Sequence, residues 1–332
     1  MKLFTTSATV RSKSKYYVFC AAVLLLALTA VSLFAGKYPL SLENVLSGDA
    51  THWRVFLTLR CSRTIVGIVG GFTLGISGYV YQTIFRNSLA SPDIIGVSSG
   101  AAAGAAAGIL FLSGAAAVTV SAFLGAIISV ILALGLSALD RTGKHQSIIL
   151  SGIAVHALAQ TALMALKITA DPEQELAAIE YWIMGSLNVI NAYSAGGNLV
   201  LSLVCVFILL LLHRQLLLLS ADEDEAKTLG VPVSCIRLFI LIVGTLAVSA
   251  IVSLTGLISF IGLLAPHIAR LLYKNNTPQT MMLSGLTGGI LLCAADILAR
   301  TVSVTELPVS IFTSLLGAPF LVFLIIRGRR AA

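Results

Sequence analysis

Charge is scarce in this chain of 332 residues, because only 11% are Asp, Glu, Lys or Arg while 58% are hydrophobic. So little charge excludes a soluble globular domain. Apolar stretches of about twenty residues recur along the whole length, which is the length that crosses a bilayer core of roughly 30 Å. Composition therefore predicts an all-α polytopic membrane protein surrounded by lipid.

Paired cysteines are missing. The chain has five cysteines without CxxC or other paired spacing, so we expect free thiols packed as small hydrophobic side chains. HExxH and EF-hand patterns are also absent, which leaves no metal site to predict. The cysteines are Cys20, Cys61, Cys205, Cys235 and Cys293.

A phosphate-binding loop is missing as well. Gly36-Lys37 and Gly143-Lys144 are the only Gly-Lys steps, and Tyr38 and His145 follow them where a P-loop needs Ser or Thr. The chain is therefore not expected to hydrolyse ATP itself. Any transport must draw its energy from an ion gradient or from a partner.

Catalytic motifs are weak. Gly75-Ile76-Ser77-Gly78 looks like an intramembrane serine protease signature, with His156 or His267 as a conceivable base. Helices rich in Gly and Ser produce so short a pattern by chance, so we expect no enzyme activity. No carboxylate falls in the middle of a predicted span, which weakens the alternative of an ion-coupled secondary transporter.

Ten apolar segments, bounded by charges or by Pro and Gly clusters, predict ten transmembrane helices in one domain spanning residues 1–332. Glycines recur at four-residue spacing at Gly67, Gly71 and Gly75 and again at Gly100, Gly104 and Gly108, which predicts close helix crossings. The predicted helices are 17–35, 65–85, 94–112, 118–139, 147–167, 193–212, 236–254, 257–273, 281–299 and 309–326.

The distribution of basic residues predicts the topology. The apolar run 17–35 is longer than a secretory h-region, so it is predicted to remain as an uncleaved first helix. With both termini cytoplasmic, six of the 21 Lys and Arg residues face outward and the other fifteen face inward, as the positive-inside rule requires. This scatter also argues against a nucleic-acid partner. The outward residues are Lys37, Arg54, Arg60, Arg63, Lys167 and Arg300.

Few polar residues fall within the predicted helices. His156, Gln160 and Lys167 share one face of the fifth helix, where His156 and Gln160 either bond between helices or line a translocation path. Asp296 precedes Arg300 by one helical turn, which predicts a local ion pair near the outer surface.

The most polar segment is 221–230, Ala-Asp-Glu-Asp-Glu-Ala-Lys-Thr-Leu-Gly, between the sixth and seventh helices. Four consecutive carboxylates are too costly to place in hydrocarbon. The topology places this segment in the cytoplasm, within reach of a soluble partner.

Several motifs together resemble the FecCD-type, or type II, ABC import permeases for iron-siderophores, haem and vitamin B12. Two departures occur, because Cys61-Ser62 replaces the family's Leu-Pro and Ser88 replaces its Pro. The lost prolines relax a constraint on the local helix ends. The matching segments are Arg60-Cys-Ser-Arg63, Arg86-Asn-Ser-Leu-Ala-Ser-Pro-Asp-Ile-Ile-Gly-Val-Ser-Ser-Gly-Ala101, Tyr181-Trp-Ile-Met-Gly-Ser-Leu187, Ser259-Phe-Ile-Gly-Leu-Leu-Ala-Pro-His-Ile-Ala-Arg270, Ala295-Asp-Ile-Leu-Ala-Arg300, and Glu306-Leu-Pro-Val309 through Gly317-Ala-Pro-Phe320.

The resemblance implies a ten-helix permease in the bacterial inner membrane that imports a metal chelate, with ferric siderophore as the commonest cargo. It implies a second permease subunit, identical or paralogous, and transport by alternating access at their interface. It also implies two cytoplasmic ABC ATPase subunits that bind ATP and Mg²⁺, while this chain binds no cofactor, and a substrate-binding protein outside.

The resemblance also assigns roles to residues. Arg60, Arg63 and Arg300 match arginines that dock carboxylates of the binding protein, so we expect three exposed guanidinium groups. Two further groups of residues match an ATPase-coupling segment and a cytoplasmic gate. The coupling segment comprises Asp222, Glu223, Asp224, Glu225, Ala226, Leu229 and Gly230, and the gate comprises Asn87, Leu89, His145 and Gln146.

Overall fold

The computed structural model describes residues 2–38, 40, 49–139, 145–188, 192–220, 232–273, 276–303 and 305–329. Within these ranges every regular element is helical, which confirms the predicted all-α class. The helices are α1 (Lys2–Phe34), α2 (Ala50–Val55), α3 (Ser62–Ile84), α4 (Val97–Phe111), α5 (Ala115–Ala138), α6 (His145–Thr169), α7 (Glu175–Ile183), α8 (Ala192–Leu211), α9 (His213–Ser220), α10 (Val233–Thr255), α11 (Ile261–Leu272), α12 (Pro278–Thr301) and α13 (Val309–Arg329).

Each of the ten predicted apolar segments coincides with one of these helices. In the described part of the chain, six helices are long and apolar enough to cross a membrane, or seven if α8 and α9, which meet at a bend of 62°, form one span. Val97–Phe111, Ile261–Leu272 and Val309–Leu324 are apolar but shorter. Length and composition therefore support six or seven spans, and the number ten stays a prediction.

The helix of the second predicted span begins well before residue 65. A π-helical segment, Phe56–Cys61, joins α2 to α3 without a break, and the Ser62 hydroxyl donates to the Leu57 carbonyl oxygen at 3.2 Å. A proline at position 62 would lack the backbone N–H that a continuous helix uses. The Cys61-Ser62 departure is therefore compatible with helix on both sides of it.

Asp49 begins this long helical stretch. Its carboxylate accepts a hydrogen bond from the Thr51 N–H at 2.8 Å, which satisfies one of the free donors at the start of α2. This bond, and a second one from the His52 side chain, hold the pKa of the Asp49 carboxyl below its usual value. The local sequence thus supplies its own start signal.

The chain divides into two compact units. The first combines Met1–Tyr79 with Ser259–Ala332, and in it α12 packs against α1, α11 and α13. The glycine face of α3 also crosses α12: a side chain at Gly71 would overlap the backbone of Gly288, and one at Gly75 would overlap that of Ser284. These contacts confirm that the glycine spacing in α3 serves close packing.

The second unit is Val80–Ile258. In it α4 packs against α5 and α6, while α10 packs against α8 and α5. Gly100 and Gly104 of α4 lie directly on the backbone of α5, where any side chain would overlap Gly125 or Ser121. The predicted close crossing of α4 is confirmed as well.

Candidate functional site

Asp296 is the centre of a buried ion cluster in the first unit. Its Oδ1 accepts a hydrogen bond from Arg63 Nε at 2.7 Å, and its Oδ2 lies 3.0 Å from Arg300 Nη2. Arg63 also donates from Nη1 to Glu306 Oε2 at 2.8 Å. The cluster joins α3, α12 and the segment that leads into α13. The predicted local pair between Asp296 and Arg300 is confirmed, but it is one part of a larger network.

Arg60 lies at the edge of this cluster, in the π-helical segment. Its two Nη atoms donate to the backbone carbonyl oxygens of Ala35 and Tyr38. Gly36 has a φ of 146°, and a Cβ there would overlap the Arg60 guanidinium. Gly36 therefore provides both the backbone conformation and the space that Arg60 requires.

The expectation that these three guanidinium groups are exposed was wrong. Arg60 and Arg63 each retain 7% of their accessible surface and Arg300 retains 2%. The reason is that each of the three groups already bonds to carboxylate, hydroxyl or backbone carbonyl oxygens of the same chain. Their docking role stays a prediction, but it does not rest on exposure.

The polar face of α6 lies in the second unit. His156 is exposed and Gln160 is half-buried, while Lys167 Nζ pairs with Glu180 Oε1 of α7 at 2.9 Å. The structure adds Asp93, which lies in the short helical turn Pro92–Ile95 that packs against α6: its carboxylate accepts from the Ser98 hydroxyl and interacts electrostatically with His156. Sequence reasoning missed Asp93, although it lies inside the motif 86–101.

Helix α7 lies outside the ten apolar segments that were predicted from the sequence. Asp171 Oδ1 accepts from the Glu173 and Gln174 N–H groups ahead of it, and after it the Ser186 N–H donates to the Thr255 carbonyl oxygen at 2.7 Å. A mainly apolar pocket of about 270 Å³ lies beside it, walled by Trp182 and the ends of α4, α5 and α10. The turn signal in Asp171-Pro172 could have indicated this short helix.

The predicted gate residues lie in the loop after α3 and at the start of α6. Asn87 Oδ1 accepts from the Leu89 N–H at 2.9 Å, and this turn leaves the Leu89 side chain 55% exposed. Arg86 has a φ of 48°, so the chain reverses here through a left-handed residue. His145 and Gln146 form the first residues of α6, and their side chains lie outside the described part. Segment 221–230, with all the predicted coupling residues, also lies outside the described residues.

The structure does not support the alternative of a serine protease with Ser77 as its nucleophile. Among the described residues, the buried Ser77 hydroxyl has no hydrogen-bond partner, so no histidine activates it.

The cysteines are all free, and Cys205 and Cys293 are buried as expected, whereas Cys20 and Cys235 are exposed.

Comparison with known proteins gives consistent matches. A model of the FecCD transport family matches residues 24–327. The chain is 37% identical over 269 residues to a cobalamin import system permease of Halobacterium salinarum, covering 81% of this chain and 72% of that protein. It is 35% identical over 319 residues to a hemin transport system permease of Yersinia pestis, covering 92% and 94%. A structure described as an inward-facing metal-chelate type ABC transporter superposes with a TM-score of 0.84 and 32% identity, covering 93% of this chain and 98% of the other.

Proposed function

Because the chain belongs to the FecCD transport family, we propose that it is the permease subunit of an ABC importer that carries ferric siderophore into a bacterial cytoplasm. The coarser assignment, an ABC importer permease for metal chelates, haem, cobalamin or iron, follows from the family and from the matched structure. Ferric siderophore is preferred among these cargoes as the commonest of the family.

The exposed polar face of α6 is the observation that carries the transport assignment. A histidine and a glutamine that faced lipid would each be costly, so residues of this kind in membrane helices face a partner or a water-filled path. His156, Gln160 and Asp93 therefore support a pathway along the interface with a second permease subunit. Alternating access between the two subunits is the mechanism that we propose.

The proposed topology has ten membrane-spanning helices in the inner membrane and both termini in the cytoplasm. The three shorter apolar helices, α4, α11 and α13, would complete this number beside the longer ones. Small-residue crossings allow short helices to be buried within a bundle, where protein rather than lipid surrounds their ends.

We propose that segment 221–230 binds a cytoplasmic ABC ATPase. Reversing two of its charges with Asp224→Lys and Glu225→Lys should lower chelate-stimulated ATP hydrolysis and uptake at least about tenfold. The reason is that like charges brought together at an interface cost several kcal/mol of binding free energy. The measurement uses the complex in proteoliposomes, and the charge-preserving swap Asp224→Glu with Glu225→Asp is the control.

Co-purification distinguishes the rival functions in the same preparations. An ATPase subunit that stays bound to the detergent-extracted wild-type chain supports the importer. If the chain alone took up chelate in response to a proton gradient, it would instead be a secondary transporter. Undiminished uptake by an assembled charge-reversed complex would remove the coupling assignment.

The loop after α3 is proposed as the cytoplasmic gate. Asn87→Ala removes the side-chain bond that holds the Leu89 backbone, a loss of about 1 kcal/mol that increases an open population about fivefold. We therefore expect faster leak of chelate from proteoliposomes without ATP. Asn87→Asp keeps the acceptor and should leak like the wild type. Equal leak rates in all three proteins would exclude Asn87 from the gate.

Docking of an external binding protein is proposed at the arginine cluster. Since the guanidinium groups are buried, a partner carboxylate would have to approach near Glu306, whose side chain is 25% exposed. Arg60, Arg63 and Arg300 would then act as a preorganised positive field rather than as exposed contacts. Unchanged affinity for the binding protein in an Arg60→Gln complex would count against this role.

A further inference from the structure

The apolar pocket beside α7 lies where several helices of the second unit end together. Its wall includes Ile109 near the end of α4, Val118 near the start of α5 and Leu254 near the end of α10. Helices α5 and α10 are each long and apolar enough to cross a membrane, so their neighbouring ends mark one edge of the hydrocarbon layer. Tyr181 and Trp182 of α7 complete the wall, and these two residue types are enriched at that depth of a bilayer. The pocket therefore lies within reach of lipid.

The polar groups of the wall already have partners. Thr119, Ser253 and Thr255 each donate their hydroxyl hydrogen to a carbonyl oxygen of their own helix at 3.1–3.2 Å. The Tyr181 hydroxyl donates to Ser186 Oγ at 3.4 Å. A ligand with hydrogen-bond acceptors would have to break these bonds or leave its own polar groups unpaired, which is costly away from water. The wall therefore favours a hydrocarbon ligand.

The size of the pocket restricts that ligand further. Its volume of about 270 Å³ lies below the roughly 300–1,000 Å³ of pockets that enclose drug-sized molecules. A whole metal chelate of that size or larger does not fit, whereas part of one acyl chain does. The pocket is therefore not a binding site for the transported chelate.

Exposed apolar side chains beside the pocket indicate where the hydrocarbon comes from. Phe111 and Leu112 at the end of α4 and Val120 near the start of α5 are each more than half exposed. They lie within three residues of Ile109 or Thr119 in the pocket wall. In a chain that spans a bilayer, lipid tails are as apolar as such side chains and solvate them without cost. The bilayer's own lipids are therefore the hydrocarbon nearest to the pocket.

We propose that an acyl chain of a bilayer lipid inserts into this pocket and packs against Trp182. Trp182 also packs against a buried cluster formed by side chains of α4, α6 and α7. A lipid at this position would extend that cluster and stabilise α7 on its two neighbours. The proposal depends on the membrane location of the chain but not on which chelate is carried.

Tryptophan fluorescence tests this occupant directly. The chain has two tryptophans, so Trp53→Phe leaves Trp182 as the single reporter. The full chain is reconstituted in nanodiscs of phosphatidylcholine, with or without bromine atoms in the middle of one acyl chain. Bromine quenches tryptophan on contact, so we expect strong quenching of Trp182 by the brominated lipid. An unquenched Trp182 would overturn the proposal.

Two neighbouring alanines of α7 distinguish a lipid in the pocket from lipid that only surrounds the protein. Ala177 and Ala178 are both exposed, and Ala178 lines the pocket whereas Ala177 does not. In the Trp53→Phe background, Ala178→Leu should lower the quenching at least about twofold, because leucine takes up the space of the acyl chain. Ala177→Leu adds the same side chain outside the pocket and should leave the quenching unchanged. Equal quenching in the three proteins would place the lipid outside the pocket and refute the site.

Native mass spectrometry after exhaustive detergent exchange is the second measurement. We expect a tightly held phospholipid on the wild-type chain and on Ala177→Leu, and its loss from Ala178→Leu. The wild-type result does not depend on how well a variant folds. A second copy of the chain is the rival occupant of the pocket. A wild-type chain without lipid, in which Trp182 is quenched only in nanodiscs that hold a single copy, would assign the pocket to that copy and overturn the proposal.

Discussion

Replacing Asp296 with alanine is expected to lower the free energy of unfolding by about 3–5 kcal/mol, because it leaves two buried guanidinium groups without their shared carboxylate. Asp296 retains 1% of its accessible surface and contacts both Arg63 and Arg300. The measurement is a denaturant titration of the protein in bicelles. Thr301→Ala on the same helix is the control, since the Thr301 hydroxyl bonds its own helix backbone at Ile297 and should change stability little.

A compensating variant distinguishes the effect of the unpaired charges from the effect of lost side-chain packing. Removing Asp296, Arg63 and Arg300 together, as Asp296→Leu with both arginines changed to Met, should recover most of the stability, because apolar residues often replace a buried ion network at no cost. A triple variant no more stable than Asp296→Ala would show that packing rather than unpaired charge causes the loss. An Asp296→Ala protein as stable as Thr301→Ala would contradict the network itself.

The second large effect is expected at the crossing of α3 and α12. A Cβ at Gly71 would lie less than 3.0 Å from backbone atoms of Gly288 and Gly289, which cannot move as a flexible side chain can. Gly71→Ala should therefore destabilise the protein by roughly 1–3 kcal/mol, the usual cost of overpacking, despite the better helix propensity of alanine. Gly71→Val should cost more.

The same substitution at Gly135 is the matched control. Gly135 lies in the interior of α5, and a Cβ added there would meet no described atom within 4 Å, so Gly135→Ala should stabilise the protein by about 0.5–1 kcal/mol. Opposite signs for the two Gly→Ala variants in one unfolding assay would support close backbone packing. Equal signs would mean that the glycine spacing of α3 does not hold the two helices together.

The periodicity of the sequence predicted the helices well because it reflects local physics. Twenty apolar residues between polar boundaries can satisfy their backbone in lipid only as a helix, so the ten segments coincide with ten helices. The glycines four apart in α3 and α4 lie on one helical face whatever that face touches, and so their packing role was also predictable. The pair between Asp296 and Arg300 was predictable for the same reason, since it spans one turn.

Short helices and side-chain burial were harder to predict from the sequence. Helix α7 has only nine residues, too few for a span, and the π-helical segment Phe56–Cys61 has no periodic signal of its own. Asp93 fell at the edge of a predicted helix and was not recognised as a polar residue beside His156. Each of these features depends on how neighbouring helices meet.

The amino-acid sequence alone determined that this chain is a helical membrane protein of the FecCD transport family, because hydropathy and motif spacing are properties of contiguous residues. Only the tertiary structure decided what Arg60, Arg63 and Arg300 do within the chain. Arg63 meets Asp296 across 233 positions and Glu306 across 243, and no spacing rule reaches that far. The folded chain brings these charges into one buried site, where low solvent access turns three expected surface contacts into an internal network.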